Sequence, residues 1–350
     1  MPASGWLKGS KTSSNNIGRR KGFRDLCGGC FFIISKIGRS LSCEDAYLCG
    51  MENDIIILDS VEQFNRQCGF ETLHPLVTVV DMAKSTGDYG SQRLHYRFYA
   101  LWLKNGEGCR LKYGRCYYDY DEVTVVSFAP GQVIQSEPLS ETPQSVGLLF
   151  HPDLIHGTSL SRKMERYTFF SYNEAEALHL SERERCDYMD ILSSIRKELE
   201  HPIDKHSREL LCDHIGLLLD LCLRFYDRQF ITREVVNKDL LVDFDRYLNA
   251  YFSDGIAERK GFPTVAFFAD KLCLSTSYFG DLIKKETGMT AQRYIQNKII
   301  DLSKRDLLGS ELPVSEIAYQ LGFDYPQHFT RLFKKQTGLS PAEYRKTKQK

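Results

Sequence analysis

The chain has 350 residues, with 46 lysines and arginines, 46 aspartates and glutamates, and 42% apolar residues. This length predicts two or three domains, each with its own core, and the composition excludes a collagen-like, coiled-coil or wholly disordered chain. No segment approaches the about 20 consecutive apolar residues that a membrane-spanning helix requires. We therefore expect a globular protein that does not enter a membrane.

The zero net charge hides a partition along the chain. Residues 1–50 carry a net charge of +5, residues 51–257 carry −11, and residues 258–350 carry +6. A basic C-terminal segment that follows an acidic body predicts a polyanionic partner, such as nucleic acid, for that segment.

Residues 1–50 show neither a helical nor a strand period, and clean apolar patterning begins only after Met51. We interpret residues 1–50 as a disordered or spurious N-terminal extension. Residues 27–30 (Cys-Gly-Gly-Cys) have zinc-like spacing, but Cys43 and Cys49 are too far apart to form the usual second pair. The chain has eleven cysteines, an odd number. We therefore expect free thiols in a reducing cytoplasm, and no metal or other cofactor.

Residues from about 72 to 165 have the pattern of short strands. An aromatic-rich strand is predicted over 94–103, and further strands over 116–120 and 123–128, with Gly and Pro turn signals between them. This pattern predicts a small β-barrel or sandwich, and the fold class is α+β. His74, His95, His151 and His156 are isolated from one another, so a metal-dependent cupin site is not expected.

Aromatic side chains on the first of these strands define a candidate ligand-binding face. Alternation with a period of two places Tyr96, Phe98 and Trp102 on one side of the strand, and Tyr118 lies on the next one. Such a face in a barrel offers an apolar cavity for a small organic effector. The alternative interpretation is that these aromatics are ordinary core residues.

After about residue 180 the apolar period becomes helical. The sequence Ser181-Glu182-Arg183-Glu184 has the form of a capping box that opens a helix, and His201-Pro202 ends it near Leu199. A longer helix then has one apolar stripe, which packs either on the barrel or on a second subunit. The stripe comprises Leu210, Leu211, Ile215, Leu218, Leu219, Cys222 and Phe225. A further helix over about 239–252 leads to a charged candidate linker that ends at Gly261.

The C-terminal segment contains an internal repeat with an offset of 50 residues. The sequence over 282–290 matches that over 332–340, and in each copy two lysines and a glycine end a helix before a Thr or Ser caps the next one. A helix-turn-helix pattern precedes each of these helix ends. Small Ala318 and Gly322 mark the second turn, whereas Ala269 and Cys273 occupy these places in the first.

These residues resemble the AraC family of transcription regulators. The resemblance covers about 260–348, including residues 316–318, residues 322–323, residues 329–334 and the Pro-Ala-Glu-Tyr-Arg sequence at 341–345. It implies two helix-turn-helix units joined by a long helix over about 291–308, which place two recognition helices in successive major grooves. The body is similar, in its order of elements, to a cupin-like sensor with dimerisation helices.

The resemblance implies specific contacts for both recognition helices. The base-facing positions are Ser277, Gly280 and Asp281 in the first, and Pro326, Gln327 and Arg331 in the second. Gly280 has no side chain to read a base, whereas Gln327 suits adenine and Arg331 suits guanine. An exposed phosphate contact is the alternative for Arg331. The remaining candidate DNA-binding residues are Tyr278, Lys284, Lys285, His328, Thr330, Lys334 and Lys335.

The sequence therefore predicts a cytoplasmic regulator of transcription and not an enzyme, since no catalytic residue set is present. Residues 51–255 form a cupin-like sensor and dimerisation body, called "the body" below, and residues 258–350 form the DNA-binding "basic module". Expected partners are double-stranded promoter DNA, RNA polymerase, an unknown small effector and a second copy of the chain. Two alternatives remain: a ligand-binding or metal-dependent enzyme body with an accessory DNA-binding module, and an architectural protein that contacts only the DNA backbone.

Overall fold

A computed structural model describes residues 55–87, 93–105, 123–135, 145–173 and 176–347. The described residues all lie within one compact unit. The extension over 1–50, the predicted strand over 116–120 and Tyr118 lie outside the described residues. The strands are β1 (Ile55–Leu58), β2 (Val77–Asp81), β3 (Arg93–Tyr96), β4 (Tyr99–Asn105), β5 (Val123–Phe128), β6 (Val133–Gln135), β7 (Ser145–Phe150) and β8 (Leu178–His179).

Long helices dominate the second half of the chain, as the change of apolar period predicts. The α-helices before residue 254 are α1 (Val61–Cys68), α2 (Pro152–Ile155), α3 (Ser159–Lys163), α4 (Glu182–Glu200), α5 (Ser207–Thr232) and α6 (Glu234–Ser253). Those after it are α7 (Ile256–Lys260), α8 (Val265–Lys271), α9 (Thr276–Thr287), α10 (Ala291–Gly309), α11 (Val314–Gln320), α12 (Pro326–Thr337) and α13 (Pro341–Lys346). The mixed α+β class is confirmed.

The strands of the described ranges form two sheets. Five strands make an antiparallel sheet in the order β2-β7-β4-β5-β8, and three make a second sheet in the order β1-β3-β6. In the smaller sheet β1 pairs with β3 in parallel, and β3 pairs with β6 antiparallel. The predicted strand over 123–128 is confirmed as β5, whereas a closed cupin-like barrel stays a prediction.

The single strand predicted over 94–103 is wrong, because the chain bends at Arg97 and passes from one sheet to the other. The backbone N–H of Arg97 donates to the carbonyl of Leu58, and its guanidinium pairs with Asp59. Alternation nevertheless continues through the bend. Tyr96, Phe98 and Trp102 therefore face one cluster, as the period of two predicts.

The capping box of α4 is confirmed. The Ser181 hydroxyl accepts the backbone N–H of Glu184, whose carboxylate accepts the N–H of Ser181 in return. Helix α4 packs against α5, and the two helices lie on the larger sheet through their buried apolar faces. The predicted stripe of α5 is confirmed except at Leu210, which is exposed.

The candidate linker over 253–261 contains helix α7, whose Ala257 is fully buried. Helix α6, which precedes it, packs into the basic module through Phe244. The Phe244 ring lies 5.2 Å from that of Phe268 and 5.0 Å from that of Phe279. The core is thus continuous from the larger sheet to the last helices of the chain. Across the described ranges, no helix is both long and apolar enough to cross a membrane.

Candidate nucleic-acid interface

Two helix-turn-helix units are formed by α8 with α9 and by α11 with α12. Ala269 and Ala318 are fully buried where the paired helices cross, as their small side chains predict. The turns need a left-handed residue, which is Gly322 (φ 85°) in the second unit and Cys273 (φ 57°) in the first. A Cβ atom at Gly322 would lie 2.5 Å from the carbonyl oxygen of Gly261, so only glycine fits this turn.

The two recognition helices, α9 and α12, end in the same way, which confirms the repeat. Gly288 and Gly338 both adopt the left-handed conformation, and their N–H groups donate to the carbonyls of Lys284 and Lys334. The lysine side chains at each end lie where the helix dipole is negative. Thr290 and Ser340 then cap the next helices through their hydroxyls.

Helix α10 joins the two units. Its 19 residues, at 1.5 Å each, give a length of about 28 Å, which suits recognition helices in major grooves about 34 Å apart. Ile295 and Ile299 are buried on the face that the sequence predicted, with Leu302 partly buried beside them.

Helix α12 presents most of its predicted DNA-binding residues to solvent. Pro326 and Thr330 are half-buried, and the Thr330 hydroxyl donates to the Pro326 carbonyl, so that side chain is engaged with its own helix. The exposed residues are Gln327, His328, Arg331, Lys334 and Lys335. A duplex can therefore approach this helix directly.

One exposed aromatic at the start of α12 is not among the residues that sequence reasoning selected. Tyr325 is 61% exposed, and its ring lies 5.5 Å from that of His328, in an edge-on arrangement. Its position immediately before Pro326 and three residues before His328 is the signal that could have identified it.

Helix α9 is presented differently. Lys284 and Lys285 are exposed, but Ser277, Gly280 and Asp281 are half-buried. Tyr278 is fully buried, and its ring lies between those of Tyr172 and Phe230, at 5.2 Å and 5.0 Å. A DNA contact by Tyr278 stays a prediction, and it requires the body, which encloses the ring here, to move away.

Polar contacts also join the body to α9. The Tyr172 hydroxyl donates to the Asp281 carboxylate at 2.7 Å, and the Lys285 ammonium lies 2.5 Å from the Asp227 carboxylate. Burial, followed by the charge of Asp281, raises the pKa of Tyr172, so this phenol keeps its proton and remains a donor. Ser275, the N-cap of α9, donates to Glu176 through both its backbone N–H and its hydroxyl.

The candidate ligand-binding aromatics are packed against their neighbours. Tyr96 and Phe98 stack at 4.9 Å, and the Trp102 ring lies 6.0 Å from that of Phe64 in α1. Trp102 also covers Gly147, where a Cβ atom would approach its ring to 2.3 Å. This face forms a small core between the sheets and α1, which favours the core interpretation of these residues.

The described ranges contain no group of three or more His, Cys, Asp or Glu side chains that could hold a metal ion. Two helix-turn-helix units with matched turns, joined by a spacer helix, define a protein with a tandem helix-turn-helix module.

Comparison with known proteins identifies the type of the C-terminal domain. A family profile described as a helix-turn-helix domain matches residues 268–347. The chain is 29% identical over 180 residues to the arabinose operon regulatory protein of Salmonella typhimurium, covering 51% of this chain and 57% of that protein. It is 33% identical over 98 residues to the HTH-type transcriptional activator RhaS of Escherichia coli O9:H4, covering 28% of this chain and 34% of that protein.

A solved structure of similar sequence is the C-terminal domain of AraT, a response regulator from Geobacillus stearothermophilus. It is 30% identical, covers 31% of this chain and 84% of its own, and has a TM-score of 0.28. The C-terminal segment of the chain is therefore a helix-turn-helix domain of the AraC type, which confirms the resemblance stated for that segment. The names of the two curated relatives above describe an operon regulatory protein and a transcriptional activator. The chain spans 57% and 34% of their lengths.

Proposed function

We propose that this protein is a cytoplasmic regulator of transcription that binds promoter DNA with both helix-turn-helix units. The observation that carries the proposal is the duplicated unit, with α9 and α12 joined by a helix of suitable length. Arg331 would donate both of its N–H arms to a guanine, and Gln327 would pair with an adenine. Lys334 and Lys335 would contact phosphates, so that one chain reads an asymmetric site near RNA polymerase.

The body is proposed to regulate this binding in response to a signal. A small organic effector would have to open the aromatic cluster around Tyr96 and Trp102 in order to bind there, since the cluster is filled by its own side chains. It can shift the protein between two states only if it binds them with different affinities.

We further propose that the chain forms a homodimer through the outer face of α5. Leu210, Leu217 and Ile231 are exposed on this helix at spacings of seven and fourteen residues, a stripe of the kind that pairs two helices. Leu217→Glu should convert a dimer into a monomer in sedimentation equilibrium. A wild-type chain that sediments as a monomer at all concentrations would refute this proposal.

The test of the main proposal is selection of duplexes from a random library with the full-length chain. We expect a motif of two half-sites about one helical turn apart, bound at least about 10³-fold more tightly than random DNA. Log affinity should fall with log salt, with a slope of about −0.9 per phosphate contacted. Enrichment of no sequence would refute a sequence-specific regulator and favour an architectural protein.

A further inference from the structure

Tyr172, Glu176 and Asp227 of the body contact α9 and its N-cap residue through hydrogen bonds and an ion pair. We propose that this contact is an autoinhibitory closed state, in which Glu176 stands where a DNA phosphate would bind at the N-terminus of α9. Tyr172 and Asp227 engage the adjacent residues that DNA would contact. The closed protein then reads DNA through α12 only. This inference rests on the proposed DNA-binding function.

Glu176 carries the phosphate-like part of the contact. Glu176 is only 1% exposed, and its carboxylate accepts hydrogen bonds from the Ser275 backbone N–H at 2.6 Å and from the Ser275 hydroxyl at 2.5 Å. A helix N-terminus attracts an anion because its first N–H groups are unpaired and its dipole is positive there. The same physical reason places a DNA phosphate at such a terminus, so Glu176 and the duplex would compete for it.

Asp227 carries a second part of the contact. It pairs with Lys285, a predicted phosphate-binding residue, at 2.5 Å between the ammonium and the carboxylate, and both side chains are about half exposed. Lys284, next to it, is exposed to solvent. The body thus neutralises one of the cations that would otherwise attract DNA.

Tyr172 covers the reading face itself. Ser275, Tyr278, Asp281 and Lys285 touch the body and lie on one side of α9 at spacings of three, three and four residues. The predicted reading stripe runs through Gly280 and Asp281, and Asp281 belongs to both sets because it accepts the Tyr172 hydroxyl. A duplex that lies along this stripe therefore requires the body to move away.

Within the described residues, the base-reading positions of the second unit are more open than those of the first. Gln327 and Arg331 of α12 are exposed, whereas their equivalents in α9, Ser277 and Asp281, are half-buried. The apparent affinity for a two-half-site duplex then equals the open-state affinity multiplied by the fraction of open protein. A substitution that weakens the closed contact raises this fraction, and affinity for a duplex read only by α12 stays constant.

The experiment compares Glu176→Gln and Asp227→Asn with the wild-type full-length chain. Kd is measured by fluorescence anisotropy on the two-half-site duplex that the wild type selects from a random library. A second duplex keeps the half-site that α12 reads and has the other half-site scrambled. The half-site that α12 reads is the one at which Arg331→Ala reduces the affinity. The matched control is Asp220→Asn, because Asp220 lies two turns earlier on α5 and contacts Lys163 and Tyr167 within the body.

We expect each variant to bind the intact duplex about tenfold more tightly, and the scrambled duplex with the affinity of the wild type. Asp220→Asn removes the same charge and should change neither value. Equal tightening on both duplexes, or by Asp220→Asn as well, would show a general charge effect and overturn the closed state. If Glu176→Gln fails to fold, the comparison of Asp227→Asn with the wild type tests the closed state by itself, because Asp227 is half-exposed and its replacement does not disturb the core.

Failure of the inference and failure of the proposed function give different results. Variants and wild type with the same Kd for a selected two-half-site duplex would overturn the closed state and leave the function standing. A wild-type chain that selects no sequence would overturn both.

Discussion

At the scale of single residues, the two recognition helices differ in what they offer a base pair. Arg331 has a planar fork of donors and an exposed position on α12, whereas its counterpart in the repeat, Asp281, is an acceptor bound to Tyr172. An acidic side chain repels phosphate but can accept from cytosine. We therefore expect most sequence discrimination to come from the half-site that α12 reads.

Arg331→Ala should weaken binding to the selected duplex by about 1–3 kcal/mol and relax the preference at one base position, since a bidentate base contact is lost. Lys334→Ala, one turn later on the same helix, should weaken binding to all sequences alike because it removes a phosphate contact. Repeating the library selection with both variants tests this difference. A uniform loss for both would make Arg331 a phosphate anchor.

His179 sets a pH dependence of stability. Burial, followed by the charges of Arg233 and Arg228, lowers its pKa from 6.5 to about 4 in the folded chain. As the pH falls, His179 is therefore protonated at a higher pH in the unfolded chain than in the folded chain. The free energy of unfolding should be highest above pH 6.5 and should decrease between pH 6.5 and about 4, by up to about 1.4 kcal/mol per pH unit.

The measurement is urea denaturation between pH 4 and 8, with His179→Gln as the variant. Its curve should be flatter than that of the wild type below pH 6.5, whereas the exposed His206→Gln should retain the wild-type slope. Identical slopes for all three proteins would show that His179 is not the group responsible.

At the scale of elements, the glycines of α9 have opposite roles. Gly280 lies inside the helix with open space where the methyl group of an alanine would lie, whereas Gly288 ends the helix at a φ of 73°. Alanine favours a helix interior, but a Cβ atom is unfavourable in the left-handed conformation. The same residue change should therefore have opposite signs at these two positions.

Gly280→Ala should raise the free energy of unfolding by up to about 1 kcal/mol, because alanine loses less backbone entropy. Gly288→Ala should lower it by about 1–2 kcal/mol. Thermal melts followed by circular dichroism would measure both changes. A destabilised Gly280→Ala variant would indicate that this position needs the freedom of glycine.

At the scale of the whole molecule, α6 belongs with the basic module in packing although it precedes the candidate linker. Phe244 is fully buried against Phe268 and Phe279, and Asp245 accepts the Tyr294 hydroxyl at 2.8 Å. Burial and this hydrogen bond raise the pKa of Tyr294 to about 12. A module cut at residue 258 would expose these ring faces to water.

Residues 234–350 should therefore be the smallest stable DNA-binding fragment, and residues 258–350 should melt at a lower temperature. In the full chain, Phe244→Ala should reduce the free energy of unfolding by about 3–5 kcal/mol, the usual cost of removing a buried aromatic ring. Calorimetry of both fragments tests the boundary. Equal melting temperatures would place the boundary after α6, where the charge pattern placed it.

The sequence alone determined the features that depend on neighbouring residues. The repeat, the capping box at Ser181, the turn residues Cys273 and Gly322, and the bounds of β5 all follow from local chemistry, and each is confirmed. Local patterns also gave the correct face for Tyr96, Phe98 and Trp102. The bend at Arg97 was missed because it depends on a backbone hydrogen bond to Leu58 in another strand.

Tertiary structure decided which side chains of the recognition helices are accessible to DNA. Glu176 and Ser275 lie 99 residues apart in the chain, and Tyr172 and Asp281 lie 109 apart, so no local period links them. Burial of Tyr278 likewise requires the packing of Phe230 from α5. Short-range sequence patterns predict the helix-turn-helix class, because helices and turns form by local contacts. Access to α9 is set by long-range packing, which a linear pattern does not record.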